Sequence, residues 1–425
     1  MRTVTLALAL ALALGLSVAA RADPNLFSAK PLDFERPSAA KVVGVYVPNW
    51  EPVALIDAIK PGSVSHLLYA FLRICGPGQL PRDATHCAGK ADFELASGPQ
   101  EQTFDAAFLR LKQRAPHVKV VASVGGWGGS DPFFHLANDA ARRAVFAASA
   151  VKFLRDHPGF DGIDIDWEHP GGNGSALDPT TGVPLGSAAD GQAYADLVMA
   201  LRRAVDPLGL ETGRRYLVTT AVNGARSVVS RVNYRAAEPA LDLVFLMTYD
   251  FYGGWSKVGG HHTALFSSAA QADDSVDEQV RNMRTAGLPA AKLVVGVAMY
   301  GRGFSGLAKP AAGTPKTGDY PPAAEAVAGE AGTITYKALA RQFLQGQRGF
   351  QTQFDASSQA WYLWRATDGV YIGYDDPRAV LLKGAYVREK GLAGLFAWEL
   401  SQDNGDILNA MNRGLGMVPK IKPMP

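Results

Sequence analysis

Three acidic side chains share one face of a segment that otherwise has the sequence of a buried strand. Because side chains alternate across a strand, Asp164, Asp166 and Glu168 point to the same side. Crowding like charges away from water is costly, so the row is expected to share protons and to hold at least one carboxyl neutral near pH 7. A carboxylic acid that is ready to donate a proton is the working part of a glycosidase. The simpler alternative is a strand with one solvated face, where acids are ordinary surface residues.

The strands and helices that must position this row follow a regular pattern. Short runs rich in Val, Ile and Leu recur, each followed by a polar or Gly-rich turn and a helix-like stretch, which predicts a series of βα units. Eight units indicate an α/β protein with a (β/α)8 TIM barrel. A doubly wound open sheet is the alternative, but the Gly-rich phosphate-binding turn is missing after the first strand. The predicted strands are 42–50, 65–72, 119–127, 162–168, 216–222, 243–250, 293–304 and 392–400, and the predicted helices include 104–114, 140–155, 191–205, 275–286 and 377–390.

The unusual residues of the chain fall where the predicted strands end. Function in a barrel of this kind lies at the carboxyl ends of the strands, so these residues are expected to meet on one face. They are Ser123, Gly125, Gly126 and Trp127 on strand three, the acid row on strand four, Met247, Tyr249 and Asp250 on strand six, Tyr300 and Arg302 on strand seven, and Trp398 on strand eight.

A long segment interrupts the pattern after strand seven. About 70 residues separate Phe304 from Asp376, where such loops usually take roughly 2 to 6. We therefore predict an inserted α+β subdomain at 305–375, between strand seven and helix seven, with short antiparallel strands in 353–355, 360–364 and 369–374. Placed above the active face, it would form one wall of a cleft. The alternative is an appendage on the rim that contributes only stability.

The beginning of the chain predicts export. Met1 and Arg2, the Leu/Ala run to Ala20 and the small residues around Ala22 are typical of a secretory signal peptide, 1–22, which leaves a catalytic domain at 23–425. The expected location is extracellular or periplasmic after cleavage near Ala22, with no membrane association thereafter. An uncleaved membrane anchor is the alternative.

The amino-acid composition limits the kinds of partner and cofactor that can be expected for this chain. The 425 residues are 47% hydrophobic with a net charge of +2, which suggests no nucleic-acid or other polyanion partner, and a monomer is expected. Cys75 and Cys87 could close a disulfide in an exported protein, or remain free thiols. The histidines form no H-E-x-x-H pattern, and His261 and His262 are interpreted as a solvated pair in a polar loop, so neither a metal nor a cofactor is predicted.

Because of these motifs, the chain resembles glycoside hydrolase family 18, and within it the chitinase subtype with an α+β insertion after strand seven. The resemblance covers the whole chain after the signal peptide. The D-x-x-D-x-D-x-E pattern of the family matches Asp161, Asp164, Asp166 and Glu168. Its S-x-G-G, M-x-Y-D and Y-G-R patterns match Ser123 to Gly126, Met247 to Asp250 and Tyr300 to Arg302, and its strand-eight tryptophan matches Trp398.

The resemblance implies hydrolysis of β-1,4 links next to N-acetylglucosamine in chitin and chitooligosaccharides, with retention and with the acetamido oxygen of the substrate as nucleophile. Glu168 would be the acid and base, Asp166 would hold the acetamido N–H, and Asp164 would share a proton with Asp166. Tyr249 would donate to the acetamido oxygen. Further substrate contacts are predicted for Trp398, Asp250, Met247, Trp127, Tyr300, Arg302, Tyr46, Phe71 and Trp255, and structural roles for Asp161, Ser123, Gly125 and Gly126.

Several of these assignments have simpler readings. Arg302 could hold sugar oxygens, orient a carboxylate or form only a rim salt bridge. Trp50, Trp127 and Trp255 could be stacking platforms or loop anchors. Trp167, which faces away from the row, is expected in the core between barrel and helices, where its indole would need a partner.

Three other functions remain open from the residues alone. One is a glycosidase in which Asp166 itself is the nucleophile. Another is an endo-β-N-acetylglucosaminidase acting on glycoprotein glycans, although the strand-seven insertion favours the chitinase subtype. The third is a sugar-binding lectin on the same barrel, which the presence of Glu168 disfavours.

Overall fold

The computed structural model describes residues 26–172, 177–178, 181–256, 259–268, 274–307 and 332–420. The predicted signal peptide, 1–22, and residues 308–331 of the predicted insertion lie outside these ranges. Across the described ranges, no helix combines the length and the apolar character that crossing a bilayer requires.

The described strands form two sheets. In the first, the order β1-β14-β8-β7-β6-β5-β4-β2 is closed by pairing of β1 with β2, and the short β3 adds to β2, which makes a (β/α)8 barrel as the sequence predicts. The second sheet has the order β10-β9-β13-β12-β11. The strands are β1 (Val42–Pro48), β2 (His66–Ile74), β3 (Leu95–Ala96), β4 (Lys119–Gly125), β5 (Gly162–Asp166), β6 (Leu217–Val222), β7 (Leu243–Leu246), β8 (Leu293–Ala298), β9 (Tyr300–Phe304), β10 (Thr333–Thr335), β11 (Gln351–Asp355), β12 (Ala360–Arg365), β13 (Val370–Tyr374) and β14 (Gly394–Trp398).

Helices follow most of the barrel strands. Some of them begin with a side-chain N-cap, such as Asp139, whose carboxylate accepts from the N–H groups of Ala141 and Arg142. The α-helices are α1 (Ala54–Asp57), α2 (Pro99–Arg114), α3 (Pro132–Leu136), α4 (Ala140–Asp156), α5 (Asp190–Thr212), α6 (Arg226–Val229), α7 (Tyr234–Ala237), α8 (Val276–Thr285), α9 (Tyr336–Gln342), α10 (Pro377–Glu389) and α11 (Asp406–Gly414).

The predicted strand seven is wrong in one respect, because 293–304 is two strands and not one. Strand β8 ends at Ala298, and after Met299 the chain enters β9, which pairs antiparallel with β10 and β13 in the second sheet. Tyr300 and Arg302 therefore belong to the second sheet and not to the tip of a barrel strand. The antiparallel strands predicted further along are present as β11, β12 and β13.

The chain divides into two compact units, which are described separately. The acid-row unit comprises Gly44–Met247 and Glu278–Gly296 and contains β5. The insertion unit comprises the described residues of Met1–Val43, Thr248–Asp277 and Val297–Pro425, and it contains the second sheet. A disulfide joins Cys75 and Cys87 in the acid-row unit, with 5.3 Å between their Cα atoms.

Candidate active site

Asp164 is fully buried and is surrounded by hydroxyl groups. Its carboxylate accepts hydrogen bonds from Ser123 Oγ at 2.8 Å, Thr219 Oγ1 at 2.6 Å and, at the longer distance of 3.5 Å, Tyr46 OH. Burial raises the pKa of Asp164 to about 6, and the three hydroxyls limit the rise because they favour the ionised form. The hydroxyl groups therefore equip Asp164 to carry charge near pH 7.

Asp166 has the opposite environment. It is 2% exposed, and its Oδ1 is buried with no hydrogen-bond partner among the described residues. Burial, and then the nearby charges of Glu168 and Asp164, hold the pKa of Asp166 well above its usual value. A proton shared within the row therefore resides preferentially on Asp166, and one oxygen of this carboxyl remains free to bind a polar group of a ligand.

Glu168 lies two residues beyond the end of β5, and not inside the strand as the sequence predicts. Its backbone N–H donates to Ser130 Oγ at 3.2 Å, which fixes the turn after the strand. The side chain is 14% exposed, so Glu168 is the member of the row that reaches the surface. A carboxyl at this border between a buried row and solvent can exchange protons with a ligand and with water.

The two glycines after Ser123 allow β4 and its loop to approach the row closely. A Cβ atom at Gly125 would lie 2.3 Å from the backbone oxygen of Asp166, and one at Gly126 would lie 2.5 Å from the Phe71 ring. Both glycines have positive φ angles, and the Gly126 N–H donates to the Asp166 carbonyl at 2.9 Å. A side chain at either position would therefore force the loop after β4 away from its neighbours.

Asp161 lies at the opposite end of β5, within a cluster of basic side chains. Its carboxylate pairs with Lys112 at 2.5 Å and Arg214 at 3.1 Å, and it accepts from the Val120 N–H at 2.8 Å. The residue is 5% exposed. These contacts tie α2 and the starts of β4 and β5 together.

Replacing Asp161 by Ala should therefore lower stability without changing the chemistry. Removing one partner from a buried ion-pair cluster usually costs about 3 to 5 kcal/mol, because the remaining charges lose their compensation. Chemical denaturation should show this loss, whereas turnover per folded molecule should stay within about twofold of the wild type. Strongly reduced turnover in a folded variant would instead make Asp161 part of the reaction.

Trp167 packs away from the row, as predicted. It is 1% exposed and stacks on Phe133 at 5.6 Å between ring centroids, with Phe134 and Tyr194 as further neighbours. The expected indole partner is not found among the described residues, since Nε1 is buried without a hydrogen bond. The aromatic cluster therefore holds the outer face of the strand by packing.

The raised pKa of Asp164 predicts a dependence of stability on pH. The unfolded chain releases this proton near pH 4 and the folded chain near pH 6, so the stabilising contribution is complete below pH 4 and is lost as pH rises through 6. In Asp164→Asn the residue cannot ionise. Between pH 4 and 7, the wild type should therefore lose about 3 kcal/mol more unfolding free energy than Asp164→Asn. Urea unfolding at several pH values measures this difference, with Asp156→Asn, an exposed carboxylate on α4, as the control. Equal pH slopes for all three proteins would contradict the prediction.

In the insertion unit, Asp250 is held by three side chains. Arg302 binds it through two parallel hydrogen bonds, Nε to Oδ1 at 2.7 Å and Nη2 to Oδ2 at 2.9 Å, and Tyr300 OH donates to Oδ1 at 2.7 Å. His262 Nδ1 lies 3.7 Å from the same oxygen. Burial works to raise the pKa of Asp250, but the contacts with His262 and Arg302 outweigh it, so the pKa lies well below its usual value. Among the roles considered for Arg302, these contacts correspond to holding a carboxylate, that of Asp250, in a fixed orientation.

The other predicted residues of this unit lie near the Asp250 cluster. Tyr249 is buried, with its ring 6.3 Å from that of Tyr300 and 6.0 Å from that of Phe396. Trp398 is partly buried at the end of β14, and its carbonyl accepts from the Met299 N–H at 2.8 Å.

Large exposed aromatic residues follow several strands. Trp127 is 67% exposed, Trp50 57% and Trp255 60%, so most of each indole is available for contact with a ligand. The Arg302 guanidinium lies over the Trp255 ring at 4.7 Å, which fixes that indole from one side. In the acid-row unit, the Tyr46 and Phe71 rings lie 6.1 Å apart, and Met247 is partly buried after β7.

Three residues near these groups were missed or misread in the sequence. Thr219 supplies the shortest hydrogen bond to Asp164, and only its strand register, opposite Asp164 on β5, could have indicated this contact. His261 and His262 are not solvated as predicted, because they are 1% and 0% exposed. Burial lowers the pKa of His262, so it is a neutral neighbour of Asp250. Within the described residues, no group of three His, Cys, Asp or Glu side chains could hold a metal ion.

Comparison with known proteins identifies relatives over most of the chain. Residues 42–403 match the family described as Glycosyl hydrolases family 18. Chitinase A of Pseudoalteromonas piscicida is 36% identical over 89% of this chain and 52% of its own length. The probable endochitinase of Orgyia pseudotsugata multicapsid polyhedrosis virus is 36% identical over 88% of this chain and 72% of its own. The chain therefore spans about half the length of the first relative.

A solved structure with the same fold contains a sugar. The family 18 chitinase of Cycas revoluta, in complex with (GlcNAc)3, is 26% identical, superposes with a TM-score of 0.70, and covers 88% of this chain and all of its own.

Proposed function

This chain belongs to glycosyl hydrolases family 18, and from this membership we propose that it is a chitinase. The proposed reaction is hydrolysis of β-1,4 links between N-acetylglucosamine units of chitin and chitooligosaccharides, with retention and with the substrate's acetamido oxygen as nucleophile. We further propose a secreted monomer that acts after cleavage of the signal peptide near Ala22 and needs no cofactor.

One observation supports this proposal above the others. The three carboxyls of the row have different environments, with Asp164 bonded by hydroxyls, Asp166 buried with one free oxygen, and Glu168 reaching the surface. Environments that separate the protonation of neighbouring carboxyls give them separate roles in acid and base chemistry. A solvated row of surface acids would have none of these differences.

In the first step, the carboxylic acid of Glu168 would donate its proton to the glycosidic oxygen. The bond from that oxygen to the anomeric carbon then breaks, and the acetamido oxygen of the same sugar forms a new bond to the anomeric carbon. Asp166 would accept the acetamido N–H through its unpaired Oδ1, and its share of the row's negative charge would stabilise the positive oxazolinium ring.

In the second step, the Glu168 carboxylate would remove a proton from water. The water oxygen bonds to the anomeric carbon while the acetamido oxygen leaves, so the product has the β configuration and Glu168 regains its proton. Asp164 would exchange a proton with Asp166 during the cycle, because its hydroxyl partners can stabilise either of its states. This sequence needs no carboxylate attack by Asp166.

Residues of the insertion unit are proposed as further substrate contacts. Tyr249 would donate its hydroxyl to the acetamido oxygen, and Trp398 would form an apolar floor for a sugar ring. Asp250, which Arg302 and Tyr300 hold in place, would accept a sugar hydroxyl. Trp127 and Trp255 would stack on further sugars of a polymer, which their exposure supports.

Cleavage of chitotetraose by the purified protein, with product anomers resolved within seconds, tests the proposal. Mainly β-anomeric chitooligosaccharides are expected. Mainly α-anomeric products would contradict retention, and tight binding without cleavage would identify a lectin. Cleavage of a high-mannose glycoprotein in place of chitotetraose would identify an endo-β-N-acetylglucosaminidase.

A further inference from the structure

His262 is a fully buried histidine beside Asp250, and neither of its ring nitrogens has a hydrogen-bond partner among the described residues. A buried polar atom without a partner costs free energy, so its presence in a folded protein calls for an explanation. The imidazole has no exposed surface and therefore cannot touch a ligand. Any effect of His262 on binding must pass through a neighbouring side chain.

Asp250 is the neighbour that faces the imidazole. Nδ1 of His262 lies 3.7 Å from Asp250 Oδ1, slightly beyond hydrogen-bond distance, and contacts of this kind often shorten when a ligand is bound. Oδ1 also accepts from Tyr300 OH and Arg302 Nε, whereas the donor to Oδ2 is Arg302 Nη2. A proton on His262 Nδ1 would make it a third donor around Oδ1, which leaves Oδ2 as the oxygen with capacity for a ligand.

Backbone contacts hold His262 at this position. The Phe251 N–H donates to the His262 carbonyl at 3.1 Å, and Thr263 Oγ1 donates to the Thr248 carbonyl at 3.2 Å. These two bonds connect the segment that carries His262 to the chain on either side of Asp250. The imidazole and the carboxylate are therefore parts of one fixed arrangement.

A buried ion pair supports the same segment. Lys383 Nζ donates to Asp375 Oδ2 at 2.8 Å and to Thr263 Oγ1 at 2.5 Å, and both charged residues are 1% exposed. The two charges compensate each other, so the pair anchors Thr263 without adding a net charge beside His262.

The imidazole itself is neutral at pH 7. Burial lowers the pKa of His262, the contact with Asp250 and the charge of Asp375 oppose this decrease, and the charge of Arg302 adds to it. A neutral imidazole carries one proton, on either Nδ1 or Nε2. A proton on Nε2 would leave the lone pair of Nδ1 facing the negative Oδ1 of Asp250. The electrostatics therefore favour the proton on Nδ1.

We propose that His262 is a positioning residue, which donates from Nδ1 towards Asp250 and fixes the carboxylate so that Oδ2 meets the sugar. The inference rests on the proposed function, in which Asp250 accepts a hydroxyl of the substrate. Arg302 and Tyr300 alone would still bind the carboxylate, but the space left by the imidazole would allow it to turn. Substrate binding should therefore depend on His262 although no sugar touches it.

The first test compares two replacements of His262. His262→Leu removes the ring nitrogens but keeps a side chain of similar size, while His262→Asn places an amide N–H close to the position of Nδ1. In His262→Leu, KM for chitotetraose should rise about tenfold while kcat stays within about threefold of the wild type, as expected for the loss of one donor to a charged group. In His262→Asn, both values should stay within about threefold.

The matched control is His157→Leu, which replaces a buried histidine of the acid-row unit whose Nδ1 also has no partner among the described residues. This variant loses a buried imidazole in the same way but has no contact with Asp250. Its KM and kcat for chitotetraose should stay within about twofold of the wild type.

A double-mutant cycle separates action through Asp250 from a general structural role. In the Asp250→Asn background, His262→Leu should change KM by less than about twofold, because the carboxylate that it positions is absent. An undiminished tenfold rise in that background, or equal rises in His262→Leu and His262→Asn, would overturn the proposal.

Nitrogen NMR of histidine-labelled protein supplies a readout that does not depend on turnover. At pH 8, the ring signals that are lost in His262→Asn should identify a neutral imidazole with its proton on Nδ1. A proton on Nε2, or a charged ring, would overturn the proposal. Failure of the wild type to cleave chitotetraose would instead refute the chitinase proposal, so the two failures are distinguishable.

Discussion

Replacing Glu168 by Gln should lower turnover of chitotetraose by about a thousandfold or more, because the amide has no proton of suitable acidity for the leaving oxygen. The shape of the side chain is nearly unchanged, and the Ser130 contact uses the backbone N–H of residue 168, so the turn after β5 should persist. Oligosaccharide affinity should therefore stay within about threefold of the wild type. Steady-state kinetics and titration calorimetry measure the two quantities separately.

The control for this variant is Glu211→Gln, which alters an exposed glutamate at the end of α5 that pairs with Arg155. It should keep full activity, because a surface ion pair contributes little. Near-normal turnover in Glu168→Gln would remove Glu168 from the role of acid and base. Loss of both binding and turnover would indicate a damaged site and would require the less polar variant Glu168→Leu for comparison.

Replacing Asp166 by Asn should lower turnover by about a hundredfold to a thousandfold, with a much smaller change in affinity. An amide can still meet the acetamido group, but it cannot supply the negative charge that stabilises the oxazolinium ring. The variant should also be more stable than the wild type at pH 8, because burial and the neighbouring acids raise the pKa of Asp166 and make its ionisation costly in the folded state. Kinetics with chitotetraose and urea unfolding at pH 5 and 8 test both expectations.

The separate effects on kcat and KM distinguish Asp166 from a simple recognition residue. If Asp166 only binds the sugar, Asp166→Asn should raise KM and leave kcat unchanged. If it stabilises charge in the transition state, kcat should fall and KM should change little. A stability gain that is the same at pH 5 and 8 would contradict the assignment of the shared proton to this residue.

The sequence predicted the barrel well because each barrel strand is marked by residues within the strand itself. Parallel strands buried on both faces are continuous runs of Val, Ile and Leu, and these runs, with the helices between them, locate most of the barrel strands to within a few residues. The alternation of side chains also separated the acid row from Trp167 correctly, since parity depends only on strand geometry. Asp161 could be assigned to a structural role for the same reason.

The error at strand seven shows where local signals fail. The stretch 293–304 is apolar apart from Arg302, and its glycines at 296, 301 and 303 do not fall at the boundary, so nothing at Met299 itself marks a change of sheet. Only Met299 separates β8 from β9, and its N–H and C=O bond to Trp398 and to Tyr336, both distant in sequence. Pairing partners of this kind decide which sheet a strand joins, and they exist only after the chain has folded.

The sequence by itself determined the fold, the parity of the acid row and the identity of its three carboxyls, because these follow from the period of side chains along one strand. The tertiary structure decided how the surroundings of the three carboxyls differ from one another. Thr219 and Ser123 reach Asp164 from neighbouring strands, and Gly125 and Gly126 bring β4 against Asp166. Burial and hydrogen bonding set protonation, and both depend on groups that are far apart in sequence and are brought together by packing.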